Sequence, residues 1–308
     1  MKALVTGGAG FIGSNLVRLL TDSRHDVVVL DNYSSGHRQN LAPFPQVRVV
    51  EGDVRDRAAL GAAIDGCEAV FHLAASVGNA RSIAHPIEDS EINVIGTLRV
   101  LEAARAHGVR KVVFSSSAGI FGELKTVPIR EDHPVEPDSP YGASKLGAEK
   151  LCLAYAKLYP LECVCLRYFN VYGVNQRYDA YGNVIPIFAH RALRGLPLVI
   201  YGDGEQTRDF VNVQDVAMAN YRAAMARGVS GAFNIASGTR ISINALATLL
   251  ADASGVPATV EHAAPRQGDV RHSLADISAA RAAFGFEPSV PLDRGLRDYM
   301  GWAREVMV

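Results

Sequence analysis

Apolar positions along this chain fall into two kinds of run. Short β-branched stretches at Lys2–Thr6, Asp26–Asp31, Val47–Glu51, Ala69–His72, Lys111–Ser115 and Glu162–Arg167 read as strands. Between them lie longer Ala- and Leu-rich segments, Ile12–Leu20, Arg57–Ile64, Ile92–His107 and Tyr141–Leu158, which read as helices. The alternation predicts an α/β fold, a doubly wound parallel sheet with helices on both faces that binds ligands outside the carboxyl ends of its strands. From about Asn170 the loops grow longer and richer in glycine. Residues 1–169 therefore form the first domain and 170–308 a smaller, interleaved C-terminal domain. A segment near 205–240 returns to the first sheet through a strand at Ala232–Ile235.

Composition narrows the function. Lys and Arg number 31 and Asp and Glu 32, a formal net charge of −1, so nothing draws the whole chain to nucleic acid or an anionic membrane. The longest apolar runs are strand-length, and the segment before Gly7 is too short for a signal peptide. Cys67, Cys152, Cys163 and Cys165 lack zinc-like spacing, and the alternation of Cys163 and Cys165 suits core packing. The expectation is a cytoplasmic, reduced and metal-free protein.

Gly7, Gly10 and Gly13 form a GxxGxxG between the first strand and the first helix. Glycines there let the backbone approach a pyrophosphate, and the helix start offers N–H groups and the positive dipole end. The second strand ends at Asp31, eighteen residues past Gly13. A carboxylate there accepts ribose hydroxyls and repels a 2′-phosphate, which favours NAD over NADP. Together these features make the sheet Rossmann-type. Asp53, after the third strand, either holds an adenine amino group or is an ordinary turn aspartate.

Tyr141 and Lys145 stand four apart on a helix and share one face. A neighbouring ammonium stabilises phenolate, so the pair predicts a lowered tyrosine pKa and a general base. Ser115, Ser116 and Ser117 follow a strand ending at the same sheet edge, where a serine either bonds a substrate hydroxyl or caps the loop. Gly7-Gly8-Ala9-Gly10-Phe11-Ile12-Gly13, Asp31-Asn32, His72-Leu73-Ala74-Ala75, Asn93-Val94-Ile95-Gly96-Thr97, Ser115–Gly122, Tyr141-Gly142-Ala143-Ser144-Lys145 and Arg167-Tyr168-Phe169-Asn170 run in order along the chain. This set resembles the extended short-chain dehydrogenase/reductase family, in particular its UDP-galactose 4-epimerase branch.

The resemblance implies a catalytic group of Ser117, Tyr141 and Lys145. It implies NAD contacts at Gly7, Gly10, Phe11, Ile12, Gly13, Asp31, Asn32, Asp53, Val54, Ala74, Ala75, Asn93, Ser115, Tyr141, Lys145 and Tyr168. Beyond Ser117 and Tyr141, a UDP-sugar would meet Asn170, Asn183, Val184, Val199, Tyr201, Arg208, Arg266, Asp269 and Ser273. Of these, Arg208 and Arg266 resemble a diphosphate clamp, and the small Ser273 resembles a gate leaving room for an N-acetyl group. A homodimer through Ile92–His107 and Tyr141–Leu158 is implied as well, although their Ala-rich faces equally suit packing within one chain. Ser117-Ala118-Gly119-Ile120-Phe121 holds no Asp or Glu, the acid that dehydratase and decarboxylase relatives carry there. The reading is NAD-dependent 4-epimerisation of UDP-glucose and UDP-galactose, or their N-acetyl forms, through a 4-keto sugar. Two alternatives stand: an epimerase or reductase of another sugar nucleotide such as UDP-glucuronate, with Arg81, Arg177 or Arg271 for the carboxylate, and a non-catalytic dinucleotide-binding protein.

Overall fold

A computed structural model describes residues 1–179, 182–256, 258–265 and 270–307. The first half runs β1 (Lys2–Thr6), α1 (Phe11–Asp22), β2 (Asp26–Asp31), β3 (Arg48–Glu51), α2 (Arg57–Ile64), β4 (Ala69–His72), α3 (Asn79–Ala84) and α4 (Pro86–Ser90). A π-helical turn at Glu91–Gly96 leads into α5 (Thr97–Ala106), followed by β5 (Lys111–Ser117), α6 (Pro140–Leu158) and β6 (Glu162–Tyr168). Then come β7 (Asn170–Tyr172), α7 (Val184–Leu193), β8 (Leu198–Tyr201), β9 (Thr207–Arg208), β10 (Phe210–Asn212), α8 (Val213–Met225) and β11 (Gly231–Ile235). The chain closes with β12 (Ile241–Ser242), α9 (Ile243–Ser254), β13 (Val260–Ala263), α10 (Ser278–Phe284) and α11 (Leu292–Met307).

Seven strands pair in parallel in the order β11-β6-β5-β4-β1-β2-β3. The order reverses between β1 and β4, so the loops leaving these two strands part and open a crevice at the carboxyl edge. Both sheet faces are buried, because alternate strand residues point into separate apolar layers. Val5, Val29, Val113 and Val164 meet α1 and α8, while Leu4, Val28, Val112 and Cys163 meet α2, α5 and α6. The four cysteines are free and buried, Cys163 and Cys165 within the second layer. A third apolar cluster, including Phe188, Leu198, Leu246 and Tyr299, forms the core of a second lobe. Among the described residues, no helix is long and apolar enough to cross a membrane.

Two expectations shift. The strand expected to end at Ser115 continues to Ser117, which pairs in register with Tyr168 and places Ser117 at the tip of the sheet. The helix expected from Ile92 opens as a π turn, which an i, i+4 pattern does not reveal. Strand β11 joins the main sheet beside β6, and α8 packs on α1.

Candidate active site

The glycine loop is shaped by close approach. Gly7 has φ of +70°, and a Cβ there would stand 2.7 Å from the Ala74 amide nitrogen. A Cβ on Gly13 would run into the Gly7 carbonyl oxygen. Helix α1 begins at Gly10 with no side-chain cap and no acid in its first turn. Its initial N–H groups, those of Phe11, Ile12 and Gly13, together with its dipole, therefore suit an anion. Asp31 is buried and accepts from the Ala9 and Tyr33 amides at 2.8 Å each. Each carboxylate oxygen keeps an acceptor position for a ribose hydroxyl. Asn32 donates to Asp53 at 2.9 Å. Asp53 also receives the Arg55 side chain and backbone amide, which hold its carboxyl below the usual range, as in a turn aspartate. Val54 is buried against Gly96. A bare glycine cradle with a carboxylate at the next strand end fits a dinucleotide without a 2′-phosphate.

Ala74 and Ala75 line the loop leaving β4 on the opposite wall of the crevice, with the Ala74 amide bonded to Thr6 Oγ1 at 3.2 Å. Asn93, buried in the π turn, grips this loop. Its amide bonds both the N–H (2.9 Å) and the carbonyl (3.0 Å) of Ser76, and it donates to Ser144 Oγ at 3.0 Å. Tyr168 donates its hydroxyl to Asn220 on α8 at 2.9 Å, and burial raises its pKa.

Tyr141 and Lys145 project from the first turns of α6. Ser139 caps this helix by accepting the Gly142 amide at 3.1 Å, with Pro140 at its first position. Gly142 permits α6 to touch the turn after Ser117, since a Cβ there would strike the Gly119 carbonyl oxygen. That approach brings Tyr141 beside Ser117, whose hydroxyl favours the phenolate. Ser117 Oγ also accepts the Gly119 amide at 3.1 Å, so it caps the loop and serves the tyrosine together. Ser116 turns away to Glu149 at 2.6 Å, in a buried cluster with Arg167.

The expected lowering of the Tyr141 pKa by Lys145 is not met. Burial pushes the phenol up, the Ser117 hydroxyl works against it, and the Asp89 charge adds to the rise. Lys145 is 3% exposed and donates to the Ser115 carbonyl at 2.9 Å. Its ammonium, taken out of water, is lowered to about 8, with the Asp89 carboxylate opposing the fall.

Across the sheet edge, a cleft of about 200 Å³ is lined by Asn170, Asn183, Val184, Val199, Tyr201 and Arg208. These are residues the sequence assigned to a nucleotide sugar. Gly182 and Ile200 share the lining, and Phe188, Gln206, Phe210 and Ile243, which were not singled out from sequence, complete it. Only the Thr207-Arg208-Asp209-Phe210 run could have pointed to one of them. Asn170 donates to the Asp209 carbonyl at 3.0 Å. Asp209 itself is fully buried, bonding Ser237, Gly238 and Ala275, and so ties several loops together beside Arg208. Ser273 is buried, with its amide on the Thr207 carbonyl at 3.1 Å, and does not line this cleft. Arg266 and Asp269 lie outside the described residues. Of the cations considered for a glucuronate carboxylate, Arg81 stands 3.8 Å from Glu88 and Arg271 pairs with Asp203 at 2.7 Å. Arg177 has a buried Nε with no partner among the described residues.

The model of the NAD dependent epimerase/dehydratase family matches residues 3–236, from β1 through β11 and across both the glycine cradle and the Tyr141–Lys145 pair. The chain belongs to this family. A UDP-glucose 4-epimerase of Mycolicibacterium smegmatis is 42% identical over 302 residues, covering 96% of each chain. The crystal structure of a Thermotoga maritima UDP-glucose 4-epimerase with UDP-glucose superposes with a TM-score of 0.94 at 38% identity, covering 100% of both chains. A UDP-N-acetylglucosamine 4-epimerase from Methanobrevibacter ruminantium, in complex with UDP-N-acetylmuramic acid, gives a TM-score of 0.93 at 37% identity, covering 98% of this chain and 97% of that one. This member of the family thus shares fold and length with enzymes that carry UDP-sugars.

Proposed function

We propose that the protein is an NAD-dependent 4-epimerase of UDP-hexoses, acting on UDP-glucose and UDP-galactose and on their N-acetyl forms. The observation that carries the reading is the Ser117–Tyr141–Lys145 group at the carboxyl edge of the sheet, with a dinucleotide cradle on one side and the Asn170–Arg208 cleft on the other. The 4-epimerases among its relatives support the substrate class.

The glycine loop, Asp31 and the Ala74–Ala75 loop would hold NAD, which would supply reversible hydride acceptance at the sugar's C4. Tyr141 takes the proton of the 4-hydroxyl as that carbon is oxidised, and later returns a proton to the alkoxide. Ser117, beside Tyr141, orients the same oxygen and passes the proton between them. Lys145, donating to the Ser115 carbonyl, supplies a positive charge near the reacting group and would offer donors to the cofactor ribose. Arg208 grips the diphosphate, and Asn170, Asn183, Val184, Val199 and Tyr201 hold the nucleotide while the 4-keto sugar turns over. No carboxylate follows Ser117 through Phe121 to abstract a C5 proton, which leaves oxidation and reduction at one carbon as the chemistry.

Residues 1–169, with α8 and β11, serve the cofactor, and the rest serves the nucleotide sugar. A homodimer is supported by exposed Ile83, Ile87 and Ile95 on the face around α3, α4 and the π turn. A cytoplasmic location suits four buried thiols. The test is to incubate the purified protein with UDP-glucose, UDP-N-acetylglucosamine and UDP-glucuronate, and to assay the nucleotide released on denaturation. Interconversion of the first two with their 4-epimers and release of NAD are expected. Turnover of UDP-glucuronate alone, or release of NADP, would sink the reading.

A further inference from the structure

Asp89 lies on α4 and plays no part in the chemistry described above. It is 1% exposed. Its Oδ2 accepts from Ser144 Oγ at 2.5 Å, while its Oδ1 is buried with no hydrogen-bond partner among the described residues. Ser144 sits on α6 between Tyr141 and Lys145, its Oγ 3.0 Å from the Tyr141 carbonyl. Asn93 joins the same serine at 3.0 Å and carries the connection to Ser76, on the loop that leaves β4. A carboxylate with one donor and one bare oxygen is an expensive thing to bury. A buried charge of this kind persists where an opposite charge compensates it, and the nearby buried cation is Lys145.

We propose that Asp89, held by Ser144 beside the Tyr141–Lys145 pair, is a positioning residue that fixes which protonation states the pair can hold. The inference rests on the proposed use of Tyr141 as the base. The surroundings leave this task to Asp89. On β4, His72 also faces Lys145, but burial keeps it neutral, with a pKa of about 3. On α6, Cys152 faces Lys145 from a fully buried position. On α3, α4 and the π turn, Arg81, Glu88 and Glu91 are exposed, with Arg81 3.8 Å from Glu88 and Glu91 3.4 Å from Arg55. The Asp89 charge favours the protonated form of both members of the pair. It keeps Lys145 cationic where burial works to neutralise it, and it sets the pH at which Tyr141 becomes a base.

Two variants test this. Asp89→Asn removes the charge and keeps the shape, and Ser144→Ala removes the hydroxyl that holds the carboxylate beside the pair. In the NAD-loaded protein, Tyr141 titration is read as the ultraviolet phenolate absorbance lost in the Tyr141→Phe variant. Both substitutions should move that titration to lower pH, and the pH profile of kcat should move the same way. A titration unmoved in both variants, with only the melting temperature lowered, overturns the proposal. Because the absorbance needs no substrate, a shifted titration in a protein that epimerises no UDP-hexose would uphold Asp89 and defeat the proposed activity alone.

Discussion

At the scale of single residues, the proposed chemistry depends on one phenolic oxygen. Tyr141→Phe keeps the ring and loses the hydroxyl, and Ser117 retains its bond to the Gly119 amide. The variant should fold with an unchanged melting temperature and lose at least about a hundredfold in kcat, the scale of a removed general base. Near wild-type turnover would exclude Tyr141 from proton transfer. His72 makes a separate prediction, about stability. It lies between Thr6 Oγ1 (2.8 Å) and Thr97 Oγ1 (3.0 Å), fully buried, with its pKa lowered to about 3 by burial and then by the Lys145 charge. Below pH 6.5 the unfolded chain takes up a proton that the native one refuses, so stability falls as pH drops from 6.5 toward 3. Each unit inside that window removes up to about 1.4 kcal/mol. Urea unfolding should show this slope in wild type and a shallower one in His72→Gln, and equal slopes would refute it.

Among the elements, α6 carries the most of the candidate site. Two of its glycines give opposite predictions. At Gly142 a Cβ meets backbone, the Gly119 carbonyl, and so Gly142→Ala should destabilise by about 1–3 kcal/mol and displace Tyr141 from Ser117, lowering kcat. At Gly147 a Cβ meets only a Val94 methyl at 3.7 Å, and Gly147→Ala should be neutral or stabilising, by up to about 1 kcal/mol. Thermal melts and kcat for the two variants check the contrast, and a Gly142→Ala enzyme like wild type would show that the contact does not set the geometry. This helix was legible in the sequence because nineteen residues give its pattern room to repeat. Strands β9 and β12 were not, being two residues each, too short for any period to register. The π turn escaped for another reason: its purpose is to aim Asn93 at Ser76 and Ser144, partners 17 and 51 residues away that no local pattern contains. Asp89 left no signal at all, since a lone aspartate on a five-residue helix looks like any surface acid until burial is known.

For the molecule as a whole, the sequence revealed the first lobe better than the second. Glycine, Asp31 and the Tyr141–Lys145 spacing are local signals attached to regular elements. The second lobe is assembled from small pairings, β10 on β7, β12 on β9 and β13 on β8, whose partners are far apart in the chain. The residues lining its cleft were found mainly through resemblance. Ser273, the expected gate, is buried against Thr207 and lies off the cleft, because the pairing that carries it inward depends on β9.

The chain leaves the main sheet after β6, contributes to the second lobe, returns as α8 and β11, and departs again. The proposed function divides between the lobes, but the polypeptide does not divide with it. A fragment ending near Asn170 would lack α8, whose Val213, Val216 and Ala217 share a core with α1, and would leave β6 as a bare sheet edge. Neither lobe is therefore a module that recombination could lift out intact. On the proposed function, a change of sugar preference would arise by substitution within the cleft, while the first lobe stays bound to the same chain that is being altered.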